Sequence, residues 1–191
     1  MEELGRIEAR LESLTELGAL VRALRSMAAA RAREAQEALA GTRAYRGTIA
    51  RAISRIAPMV PCAPNKPPSG PDPVRIVLTS ENGFVGGFNG RIMDSAFDGH
   101  DKGERLIVVG RRGQVTLSER GGAPDRAVGM TARPGGVTVL ARRIAASLGQ
   151  VDRATLVFAS PRTGAAFDVE TRAVLPLQPP EAEAAAAPPL H

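Results

Sequence analysis

The sequence predicts an α/β protein: one long N-terminal coiled-coil helix followed by a small, mainly parallel α/β domain. Three observations lead there. Residues 2–57 return apolar or small side chains at alternating spacings of three and four, with no proline among them. Short apolar runs at Val74–Leu78, Arg105–Val109 and Ala154–Ala159 alternate with stretches of helical pattern. A proline-rich stretch, 58–73, separates the two regimes. The expected organisation is a shaft helix over 2–57, a linker over 58–73, an α/β domain over 74–177 and a disordered tail over 178–191.

The apolar series of the first segment runs Leu4, Ile7, Leu11, Leu14, Gly18, Val21, Leu24, Ala28, Ala32, Ala35, Leu39, Thr42, Tyr45, Ile49, Ala52, Ile56. Threes and fours average to a 3.5-residue period, which is the seam of a coiled coil and not the wide stripe of a globular surface helix. Pro58 and Pro61 end the pattern. At 1.5 Å per residue the rod is roughly 80 Å long. A seam of that length needs another helix. Between Ala28 and Ala40 there are seven alanines, strong helix formers that also allow close approach of a second helix. Charge is segregated: residues 2–16 carry five Glu against Arg6 and Arg10, whereas Arg22, Arg25, Arg31 and Arg33 follow with no acid among them. Arg43, Arg46, Arg51 and Arg55 repeat the basic block. With Leu24 and Met27 beside it, the first basic block reads as a docking surface for an acidic partner, or as a solvated face.

Seven prolines fall between Pro58 and Pro73, stiffening an irregular connection. VRIVL at 74–78 reads as a short buried strand, and the glycine-rich turn Ser80–Gly90 leads into a helix over Asn89–Phe97. RLIVV at 105–109 is a second buried strand, followed by a helix to about Arg120 and a short strand near Arg126–Met130. Gly135 and Gly136 open a helix over Val137–Leu148. Ala154–Ala159 is a third clear strand, and Phe167–Leu175 alternates as a half-buried one. Strands alternating with helices argue a mainly parallel, Rossmann-like sheet, its last two strands a hairpin at the edge. From Pro176 the composition is low-complexity.

The totals narrow the function. A net charge of +5 over 191 residues suits an acidic protein surface, nucleic acid or anionic lipid headgroups. Six aromatic residues and no Trp suit base stacking poorly. Cys62 stands alone, so neither a disulfide framework nor a cysteine metal site is expected. The N-terminus is charged and amphipathic, unlike a signal peptide, and no apolar run reaches the ~18 residues of a membrane span.

The turn ENGFVGGFNG, with Gly83, Gly86, Gly87 and Gly90, sits between a strand and a helix, where a phosphate loop would lie. Its spacing fits neither the Walker nor the dinucleotide fingerprint. A tight strand-to-helix turn, in which glycines permit close packing, is the expected reading. His100 and His191 lie in a polar loop and the tail, without a triad pattern. No catalytic residue, metal site or cofactor is expected.

LVRALRSMAAARAREAQ at 20–36, with TRAY at 42–45, resembles the N-terminal helix of the gamma subunit of F-type ATP synthases. TSENGFVGGFN at 79–89 is similar to that family's TSDRGLCGGxN motif. IVVGRRG at 107–113, Ala154–Ser160 and VLPL at 174–177 fall in the family's order. The arginine- and alanine-rich style is also similar to divergent, sometimes sodium-linked, second ATPase operons of some bacteria.

The resemblance implies a non-catalytic central rotor. In the family this helix pairs with a C-terminal helix of the same subunit and stands inside the alpha–beta hexamer. The α/β domain sits against the epsilon subunit and the membrane-embedded c-ring, on the cytoplasmic face of the bacterial inner membrane. Neither a cofactor nor nucleic acid is implied. By position, Arg22, Leu24 and Arg25, with Met27, match the segment facing an acidic loop of beta, and Arg31 and Arg33 match further basic positions. Gly83, Gly86, Gly87 and Asn89 match the structural turn of that motif. Val85 replaces the family's cysteine there, Asn82 its usual arginine, and Leu24 its usual methionine. The chain ends near where the family begins its return helix, so a truncated or split product, or a different partner for the seam, is expected. On the residues alone, a nucleic-acid or scaffold arm and a phosphate-binding enzyme remain open.

Overall fold

The computed structural model describes residues 2–56, 59, 72–101, 103–149, 151–162 and 166–176. Most of the expected linker, Cys62 and the tail expected over 178–191 lie outside these residues. The chain divides into two compact units, Met1–Thr48 and Ile49–His191, and each is described by itself.

Helix α1 is a single uninterrupted α-helix, Glu2–Ile56, 55 residues long. Its interior hydroxyls are absorbed into the helix. The Oγ1 atoms of Thr15 and Thr42 donate to the carbonyls of Leu11 and Ala38 at 2.8 and 2.9 Å. The apolar positions remain in solvent: Leu4, Ile7, Leu11, Leu14, Val21 and Leu24 are all exposed. So are Leu17, Leu20 and Ile53, large apolar residues that the expected seam passes over.

The domain is a five-stranded sheet of β1 (Val74–Leu78), β2 (Arg105–Val109), β3 (Arg126–Val128), β4 (Ala154–Pro161) and β5 (Phe167–Leu175), in the order β3-β2-β1-β4-β5. The pairings β1–β2, β1–β4 and β2–β3 are parallel; β4–β5 is antiparallel, with Phe158 opposite Glu170. This is the mainly parallel sheet with an edge hairpin that the strand–helix alternation predicts. The helices are α2 (Phe88–Phe97), α3 (Arg111–Glu119) and α4 (Val137–Leu148), the last entered through a 3-10 turn at Pro134–Gly136.

Strand parity divides the core between the two faces of the sheet. On one face Val77, Leu106, Val108 and Val157 pack with Ile92, Met93 and Ala96 of α2 and Leu117 of α3. On the other, Ile76, Ile107, Val109, Val128 and Ala154 pack with Val151 and the partly buried Leu140, Ile144 and Leu148 of α4. The i, i+4, i+8 spacing of those α4 residues is what a helix needs to lay one stripe on a sheet. Helix α2 is pinned to the edge strand by Phe88 and Phe167, whose ring centroids are 5.0 Å apart, and by the Arg91 guanidinium 4.2 Å above the Phe167 ring.

Candidate functional site

All six expected partner-binding residues of α1, Arg22, Leu24, Arg25, Met27, Arg31 and Arg33, are exposed. Helical geometry sorts them into two groups. At about 100° per residue, Arg22, Arg25 and Arg33 fall within about 80° of one another. Leu24, Met27 and Arg31 form a second group, with Leu24 about 160° and Arg31 about 180° around the helix from Arg22. The segment therefore presents a basic face and an apolar face bearing one arginine. Leu17 and Leu20 extend the apolar face, both 56% exposed. Their 3–4 spacing to Leu24 and Met27 is the signal that finds them.

The glycine turn is held by side chains at its two ends. The Ser80 backbone N–H donates to Asn89 Oδ1 at 3.0 Å, and Asn89 Nδ2 donates to Ser80 Oγ at 2.9 Å. Asn89 is buried, so these bonds replace the water it gives up. Glu81 Oε2 accepts from the backbone N–H groups of Arg111 and Met130, at 3.2 and 2.9 Å. The carboxylate thus lies at the N-terminus of α3, where the helix dipole favours it.

The close packing expected of the turn glycines is found elsewhere. A Cβ placed on Gly83, Gly86 or Gly87 would meet nothing within 4 Å; only Gly86, at φ 54°, needs glycine's conformational freedom. The close approach belongs to Gly110 and Gly113. A Cβ on Gly113 would lie 2.2 Å from Thr79 Oγ1, and one on Gly110 would lie 2.5 Å from the Thr79 carbonyl oxygen. Thr79 Oγ1 donates to the Val109 carbonyl at 2.7 Å, locking the ends of β1 and β2 together. Phe84 stands at the tip of the turn with φ 60° and its ring in solvent.

His100 has a partner that its loop position does not suggest. Its Nδ1 is 3.3 Å from Glu104 Oε2, without the alignment of a hydrogen bond. It borders a cleft of about 420 Å³ with Phe97, Leu106, Leu117, Arg120 and Asp125. The charged groups there serve the fold. Asp125 Oδ2 accepts from the Leu106 N–H at 2.6 Å, and Arg120 pairs with Asp94 at 2.7 Å.

Comparison with known proteins adds a family to this geometry. The profile of the family described as ATP synthase matches residues 3–190. The ATP synthase gamma chain of Roseobacter denitrificans is 31% identical over 129 residues, covering 61% of this chain and 44% of that one. That of a Geobacter species is 30% identical over 129 residues, covering 63% and 45%. The chain spans less than half the length of these curated relatives. Among solved structures, the rotor of the Euglena gracilis mitochondrial ATP synthase aligns with a TM-score of 0.43 at 11% identity, over 82% of this chain and 63% of that chain. The central stalk and c-ring of the Tetrahymena thermophila enzyme aligns at 0.43 and 20% identity, over 59% and 53%.

Proposed function

The chain belongs to the ATP synthase gamma-chain family, and we propose that it acts as the central-stalk rotor of an F-type ATP synthase. In this reading α1 is the shaft inside the alpha–beta hexamer, and the α/β domain lies at the foot against the epsilon subunit and the membrane c-ring. The complex works at the cytoplasmic face of a bacterial inner membrane. Rotation couples ion translocation to ATP synthesis or hydrolysis; the nucleotide chemistry belongs to alpha and beta, and this chain carries none of it.

The observation that carries the proposal is the 55-residue helix with its exposed basic and apolar faces at residues 17–33. A continuous hydrogen-bonded helix transmits torque along its axis. Its two unlike faces make the interaction with a surrounding acidic loop depend on angle. Facing Arg22, Arg25 and Arg33, an acidic loop is attracted; half a turn later it meets Leu24 and Met27 instead. At an effective dielectric of ~20, two opposite charges at 4 Å attract by about 4 kcal/mol, so the difference between the faces is large on the scale of RT.

The test is Arg22→Glu with Arg25→Glu in a complex reconstituted with cognate alpha and beta subunits. Assembly or coupled ATPase activity is expected to fall by about tenfold or more, while Arg142→Glu with Arg143→Glu on α4 leaves both unchanged. Equal behaviour of the two variants removes the role assigned to the basic face.

A further inference from the structure

We infer that Asn82 is a self-modifying site: its amide nitrogen is lost as ammonia through attack by the Gly83 backbone nitrogen, leaving aspartate or isoaspartate in the glycine turn. Asparagine followed by glycine occurs twice in the sequence, at Asn82–Gly83 and Asn89–Gly90, and the fold treats the two oppositely. Asn82 lies in solvent, in the non-helical turn between β1 and α2. A Cβ placed on Gly83 would meet nothing within 4 Å, so no neighbour blocks rearrangement there. Among the described residues, no hydrogen bond occupies the Gly83 N–H or the Asn82 carboxamide. The Ser80 hydroxyl donates to the Asn82 carbonyl oxygen at 2.9 Å. A donor on that oxygen draws electron density from the Asn82–Gly83 amide and eases loss of its proton. Asn89 has the same successor but is 6% exposed, is held in α2, and has its Oδ1 and Nδ2 both bonded to Ser80. Its carboxamide turns toward the Gly90 nitrogen only by giving up two buried hydrogen bonds.

The Gly83 nitrogen gives up its proton and bonds to Asn82 Cγ. The Cγ–Nδ2 bond breaks, Nδ2 takes up a proton and leaves as ammonia, and a five-membered succinimide remains. Water then opens the ring. Opening at Cγ gives aspartate; opening at the main-chain carbonyl gives isoaspartate, with the chain routed through the side chain. Either product places a negative charge next to Glu81, whose carboxylate accepts from the Arg111 N–H at the start of α3. This chemistry is a property of the turn and stands apart from the shaft reading.

The full chain, aged in mildly alkaline buffer and digested with trypsin beside a fresh sample, yields residues 76–91 as one peptide carrying both asparagines. Its mass should rise by about 1 Da, an NH2 replaced by OH, and fragmentation should place the change at residue 82 and not at 89. The rate in this range should rise about tenfold per pH unit, because the attacking nitrogen must first lose its proton. The aged peptide, unlike the fresh one, should accept methyl groups from S-adenosylmethionine through a protein isoaspartate methyltransferase. Gly83→Ala should slow conversion by about tenfold or more, since its methyl group crowds the attacking nitrogen. In denaturant both asparagines should convert. Asn82 staying intact in the native chain while it converts in denaturant overturns the inference, because the fold then protects it. Equal conversion at 82 and 89 in the native chain overturns it as well, because burial and hydrogen bonding then separate nothing.

Discussion

Arg75 and Glu104 form an ion pair at 2.8 Å in which both side chains are less than a tenth exposed. The arginine is the second residue of β1, and Glu104 immediately precedes β2. Arg75 Nη1 and Nη2 also donate to the carbonyls of Ala96 and Gly99, at 3.0 and 2.9 Å. One guanidinium thus ties the central strand to the end of α2 and to the loop that follows. Removing one partner of such a pair leaves the other buried without its counter-charge.

Arg75→Met is accordingly expected to destabilise the domain by about 3–5 kcal/mol, and Glu104→Gln by a comparable amount. Amide hydrogen exchange reads this locally. The β1 and β2 amides, Val77 and Val108 among them, should exchange about a hundredfold or more faster than in the parent chain.

Gly113→Ala forces a methyl group into the space of Thr79 and should cost about 1–3 kcal/mol. Gly83→Ala, with nothing within 4 Å of the new carbon, should stay within about 0.5 kcal/mol. Denaturant midpoints of the two variants measure the contrast. Equal midpoints would mean that the approach of β2's exit to Thr79 is not tight.

Asn89→Ala strips the partner from the Ser80 N–H and should cost about 1–3 kcal/mol. Asn89→Asp retains the acceptor and should recover part of it. Hydrogen exchange at Ser80 and at the first turn of α2 follows the effect directly.

How much of this was legible in the sequence depended on whether a feature was local. VRIVL and RLIVV are continuous apolar runs with β-branched residues, and they became β1 and β2 at the expected bounds. The edge strand is signalled by the alternation Phe167, Val169, Thr171, Ala173, Leu175, but only its first part holds: Phe167 and Val169 are half-buried, Thr171 and Ala173 are exposed, and a register shift brings Val174 and Leu175 together against the core. Arg75 was not legible as a buried ion: it sits inside an apolar run, and its partner lies 29 residues away. The tight glycines are hidden from the sequence for the same reason. Gly83, Gly86 and Gly87 cluster in the chain, but Gly110 and Gly113 are the ones that meet Thr79 in space. On α1 the candidate residues were adjacent in sequence, and only the 3.6-residue turn separates Arg22 from Leu24. Leu17, Leu20 and Ile53 fall outside the expected seam, which runs beside them along the helix.

The edge hairpin offers a titration test. The Glu170 carboxyl lies below its ordinary range, because the Ser160 hydroxyl bonds to it and, to a lesser degree, Arg172 does as well; partial desolvation opposes both. A carboxyl whose folded value is lowered adds stability that is fully present above its ordinary value and is lost as pH falls through the lowered one. NMR titration should place the Glu170 midpoint below that of an unperturbed glutamate, and Ser160→Ala should move it upward. An unmoved midpoint would mean the hydroxyl is not the main cause.

The most direct test of the rotor reading is photo-crosslinking from α1. A photoreactive residue at position 24, in chain mixed with cognate alpha and beta subunits and ATP, should form an adduct with beta. The same probe at position 139, on the exposed side of α4, should not. A position-24 probe that labels neither alpha nor beta, in a mixture where the two assemble normally, would contradict the placement of this helix at the centre of the complex.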